Sequence, residues 1–158
     1  MQGRVEPHIK DIMREGDKIG VKCTFRIYLE EGEKRIKAEE KDVITDAGLE
    51  HAVKLLAGIE MKPFKYIAVG TGTTPESETD TELENEIART MATAEYTQLA
   101  EVGISAKFSW DIDTEISEAG LFNASENGVM FARVVFPKLV VPANIYAVVE
   151  FEISLERA

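Results

Sequence analysis

A chain of 158 residues, 44 % apolar and 30 % charged, is long enough to bury one core and has a globular composition. A formal net charge of −11 speaks against nucleic acid and against an anionic membrane surface as partners, since both select clustered Lys and Arg. The single cysteine, Cys23, excludes an internal disulfide and a Cys-rich zinc site. A polar N-terminus with neither a signal peptide nor an apolar run of about 18 residues predicts synthesis in the cytoplasm.

Residues 1–16 are polar and of mixed charge, and read as an arm or short helix ahead of one domain over 17–158. From Ile19 to Leu29 every second residue is apolar, which is the period of a strand with one buried face. Glu30–Glu33 is a turn, and Lys34–Glu40 returns as a charged strand suited to a sheet edge. The period then becomes helical. Leu49, Val53 and Leu56 form a stripe that Ala52 and Leu55 widen, Thr45 or Asp46 can cap the start, and Gly58 suits the left-handed end. Tyr66–Val69 is a short strand, Thr71–Glu78 a loop, and Asp80–Arg89 a second short helix with an acidic first turn.

Beyond Met91 nearly everything is strand. Val102 to Ile112 and Ile145 to Leu155 alternate without a break. Between them lie Ile116–Asn123 and Met130–Phe136, joined by a connection whose Asn127 and Gly128 signal a hairpin. The expected fold is mainly β: a two-sheet antiparallel β-sandwich with one or two short helices. Phe108, Trp110, Val149 and Phe151 fall on the inward phase, as does Cys23, which is expected to be a buried, inert thiol.

No set of residues completes a catalytic site. Gly70, Thr71, Gly72 and Thr73 could cradle a phosphate, but no Lys follows as in a Walker loop, and no third Gly as in a dinucleotide loop. The loop reads as a structural turn whose glycines have positive φ or lie where another backbone leaves no space for a Cβ. The carboxylates of Glu76, Glu78, Asp80, Glu82, Glu84 and Glu86 alternate as in a calcium loop but lack its central Gly. His8 and His51 cannot alone complete a triad or a three-His metal site. Asp111, Asp113, Glu115 and Glu118 could supply a glycosidase pair, a weak signal on an acidic strand. No catalytic residue, cofactor or metal is therefore expected. The later strands are apolar on both faces, so Val129, Phe131, Val135, Val140, Tyr146 and Val148 are candidates for a subunit interface unless a helix covers them.

Several spaced segments resemble a family of small virion structural proteins of tailed phages, archaeal tailed viruses and prophages, of the tail-fibre or minor structural type. They are Ile44–Leu49, Leu55–Gly58, Tyr66–Thr73 with Val69 inserted before Gly70, Thr79–Glu86, Ser117–Phe122 and Met130–Pro137. Within them, Gly70, Thr71, Gly72, Thr73 and Asp80 belong to the family pattern, as do Glu118, Ala119, Gly120, Leu121 and Phe122. Ser117 stands where the family has Ala. The resemblance covers about 17–157 and implies a non-enzymatic particle component that assembles with itself, for instance as a trimer, and with other virion proteins. A capsid decoration protein and a monomeric carbohydrate-binding sandwich are the alternatives.

Overall fold

The structure, a computed structural model, describes residues 16–31, the backbone of 35–41, and 43–158. Most of the expected arm, and the tip of the first hairpin at 32–34, lie outside the described residues. The elements are β1 Ile19–Glu30, β2 Arg35–Lys41, β3 Val43–Ile44, α1 Asp46–Leu56, β4 Tyr66–Gly70, β5 Glu86–Met91, β6 Thr93–Gln98, β7 Glu101–Phe108, β8 Thr114–Phe122, β9 Met130–Val141 and β10 Tyr146–Arg157. Two antiparallel sheets form, in the orders β2-β1-β10-β7-β6 and β3-β9-β8-β4-β5. Among the described residues they make a sandwich with one helix and no closed barrel.

The chain changes sheet twice at the edges. β2 ends in the first sheet at Lys41 and β3 begins in the second at Val43; β5 and β6 exchange sheets around the buried Ala92. The charged return strand β2 does lie at an edge. Alternation along β1 buries Cys23, Phe25, Ile27 and Leu29, and register places Phe25 opposite Phe151 and Ile27 opposite Val149. Across the sandwich the Phe25 ring stacks on Phe136 of β9 with centroids 5.0 Å apart. Asn127 and Gly128 both have positive φ, 52° and 74°, as the β8–β9 hairpin signal requires. Pro137, without an N–H, sits where the ladder is interrupted: pairing jumps from Glu118 and Val135 to Ile116 and Leu139.

Three expectations are corrected. The strand begun at Glu101 ends at Phe108, leaving Ile112 exposed and Trp110 half-buried, stacked on Phe108. Asp80–Arg89 is not a helix: it is loop as far as Asn85 and then β5. The helix 46–56 forms and is capped as expected, with the Gly48 amide donating to Thr45 Oγ1 at 2.9 Å and Gly58 at φ +70°. However, it turns its other side to the core. Gly48 and His51 are buried, whereas Leu49, Val53 and Leu56 face outward. The cause is local. A Cβ at Gly48 would stand 2.6 Å from Phe131 Cα, so the helix can approach β9 only on its glycine side. The Thr45 hydroxyl donates to Met130 O, and His51 Nε2 lies 2.8 Å from Lys62 O with its ring edge-on to Phe64.

The doubly apolar strands are also mostly accounted for inside the chain. A second small core of Ala68, Leu83, Phe122 and Met130 lies apart from the main one, and Leu83 arrives from the loop after β4. The Arg89 guanidinium caps the Phe122 ring at 3.7 Å. Phe131 is buried beside Phe64 near α1, and Val148 is buried with Tyr28 and Lys107 as its cross-strand neighbours. These two are therefore unavailable to a partner. Val129 and Val135 are half-buried, and only Val140 and Tyr146 of the six remain exposed.

Candidate functional site

The residues that stand out in the sequence converge on one carboxylate. Glu118, on central strand β8, is fully buried. Its Oε2 accepts the amides of Gly72 and Asn85, both at 2.8 Å, and its Oε1 accepts the Glu84 amide at 2.9 Å. Arg133, two residues along β9 from the partner of Glu118, donates from Nε to Oε1 at 3.1 Å. Arg133 Nη1 continues to Asp80 Oδ2 at 3.0 Å. A buried carboxylate is tolerated only when its lone pairs are filled and its charge is paired, and both conditions hold.

This arrangement explains why 71–85 is a loop. The amides of Glu84 and Asn85 point at Glu118 instead of at helical carbonyls. The carboxylates of this segment act as backbone acceptors. Glu84 takes the amides of Thr73 and Thr74 and the Thr74 hydroxyl; Asp80 takes the Ser77 amide; Glu76 reaches the Val135 amide on β9. Ser117 donates its hydroxyl to Gly72 O at 2.7 Å, so Gly72 is held through both its amide and its carbonyl.

The glycines serve close approach, with φ outside the left-handed region. A Cβ at Gly70 would overlap the Asn85 carbonyl, and one at Gly72 would stand 2.5 Å from Glu118 Oε2 and 2.6 Å from Glu84 Cβ. Gly120 makes room for Leu83 of the loop, which a Cβ there would meet at 3.0 Å. Gly72→Val is accordingly expected to cost about 1–3 kcal/mol by overpacking. Equilibrium unfolding checks this, and an unchanged midpoint combined with a lost bound anion would reinstate a phosphate cradle.

Glu84 carries the strongest electrostatic signature. The Thr74 hydroxyl, then the amides of Thr74 and Thr73, lower its carboxyl from 4.5 to about 2, with a smaller contribution from the Arg133 charge. A depressed native value means that the ionised form stabilises the fold. That contribution is complete above the unfolded value near 4.5 and is lost as pH falls toward 2. Between pH 5 and 2 the melting temperature of the natural chain should fall further than that of Glu84→Gln. Parallel curves for the two proteins would contradict this.

The remaining candidates do not assemble into a site. Asp113 accepts the Ala143 amide, and Glu115 lies on the surface near Lys138. Neither joins Glu118 in an open cleft. His51 is buried against Lys62 O and Phe64. Among the described residues no group of three His, Cys, Asp or Glu is placed to hold a metal ion, and a chelator is expected to leave the melting temperature unchanged. Arg133 is the participant that the sequence reading missed. Its signal was a lone cation inside the apolar run Met130–Phe136.

The fold and this locked loop define a mainly β sandwich whose most unusual polar cluster serves to hold the chain together. Compared with protein-family models, curated proteins and solved structures, the chain matches none.

Proposed function

We propose that this protein is a non-enzymatic structural component of a tailed-virus particle, in the tail or associated with a tail fibre or baseplate. It assembles with copies of itself and with neighbouring virion proteins and resides in the virion after synthesis in the host cytoplasm. The observation that carries the reading is the convergence of the family-like segments. Gly70–Thr73, Thr79–Glu86, Ser117–Phe122 and Met130–Phe136 are scattered in sequence, yet they meet around Glu118. There, the polar groups that might have done chemistry hold backbone amides or one another. A pattern whose purpose is to lock a loop onto a sheet suits a protein whose work is mechanical.

The carbohydrate-binding alternative draws less support. Tyr96 and Tyr146 are exposed, but register aligns Tyr96 with Val102 and Ala147 with Phe108, about 20 Å apart along β7. They do not form a shared platform. Electron microscopy of purified particles carrying a tag on this chain tests the proposal. Density at the tail is expected. Density over the capsid would favour a decoration protein, and particles without the chain would overturn the reading.

A further inference from the structure

The outward face of α1 has no role in the fold of the described residues. Leu49, Val53 and Leu56 are 44 %, 66 % and 81 % exposed, and Ile59 and Met61, just beyond the helix, are 71 % and 79 % exposed. Taken as whole residues the five leave about 600 Å² accessible, near the upper limit for a patch on a monomer, and Met61 also borders the groove beside Tyr66 and Met91. The helix steps of four and then three residues are those of a d–a–d seam, the spacing by which one helix seats its knobs in another.

From this face we infer that α1 is the contact through which two copies of this chain pair, helix against antiparallel helix across a two-fold axis. Three observations favour a second copy. The area approaches the ~800 Å² per partner of a standard interface before any flanking residue is counted. The spacing is self-complementary in the antiparallel sense, as an isologous contact requires. The charge is also suitable. Although the chain carries −11 overall, the two charged residues between Leu49 and Leu56, Glu50 and Lys54, pair with each other at 3.4 Å, so the middle of this helix face brings no net charge against its copy. The contact differs from the strand-face interface expected from the sequence, and it does not rest on the particle assignment: each can fail while the other stands.

Sedimentation of the full-length chain should show a species of twice the chain mass, or a larger assembly built from it. Val53→Glu should reduce that species to its half while the circular dichroism of the β-sandwich is retained, because Val53 is on the surface. In an antiparallel pair the middle residue lies nearest the axis, so Val53→Cys should form a disulfide-linked dimer on mild oxidation. Thr97→Cys, exposed on β6, should not, and the native Cys23 is buried and silent. A full-length chain that stays monomeric at high concentration would overturn the inference. So would an assembly unaffected by Val53→Glu, or equal linking at both cysteine positions. If a chain lacking residues 1–15 pairs where the full chain does not, the face is covered by its own N-terminal segment, and the inference fails in that way too.

Discussion

Glu118→Ala is expected to destabilise the protein by about 3–5 kcal/mol, the range found when one partner of a buried ion pair is removed. The fully buried carboxylate satisfies three backbone amides and one guanidinium at once. Without it, Arg133 keeps only Asp80, and the amides of Gly72, Glu84 and Asn85 lose their acceptor. Against a typical total of 5–15 kcal/mol this is a large share. Hydrogen exchange should show where the loss is felt: those three amides should lose protection before the core of β1 and β10 does. Glu118→Leu combined with Arg133→Met should recover part of the deficit, since an apolar pair leaves no buried charge behind. A loss below about 1 kcal/mol for Glu118→Ala would mean that water replaces the carboxylate at little cost.

Phe151→Ala should cost on the order of 3–5 kcal/mol through lost transfer energy and the cavity it opens. Phe151 is fully buried on β10, the central strand of its sheet. It faces Phe25 on β1 with ring centroids 5.6 Å apart, and Phe25 in turn stacks on Phe136 from the opposite sheet. The cavity would therefore open where the two sheets meet. Urea unfolding should show a lower midpoint with an unchanged slope. A change within about 0.5 kcal/mol would require neighbouring side chains to close the space, contrary to the behaviour of close-packed interiors.

The strands were legible because period two is a property of the chain alone. The alternation through Cys23, Phe25, Ile27 and Leu29 marks the buried face of β1 whatever lies opposite. The hairpin at Asn127 and Gly128 and the cap at Thr45 are equally local, each needing only a few neighbouring residues. The segment 80–89 misled for a corresponding reason. An acidic first turn and helical spacing are real local preferences, but they are weaker than the amide acceptor that Glu118 supplies from more than thirty residues away.

The helix shows the same division. Its existence and both its ends follow from Thr45, the apolar spacing and Gly58. Which side it buries does not, because two faces were eligible: one carried Leu49, Val53 and Leu56, the other Gly48, His51, Ala52 and Leu55. Transfer energy alone favours the first; steric access decides for the second, since only a glycine lets the helix backbone approach Phe131. The sequence by itself determined the sandwich class, the phase of β1, the helix at 46–56 and the structural part played by Gly70 and Gly72. Tertiary structure alone decided that Glu118 would hold Arg133 and the loop amides, and that the Leu49, Val53 and Leu56 side of α1 would stay exposed. Periodicity says which residues share a face, whereas the neighbour that covers the face is set by long-range register and by where two backbones can come close.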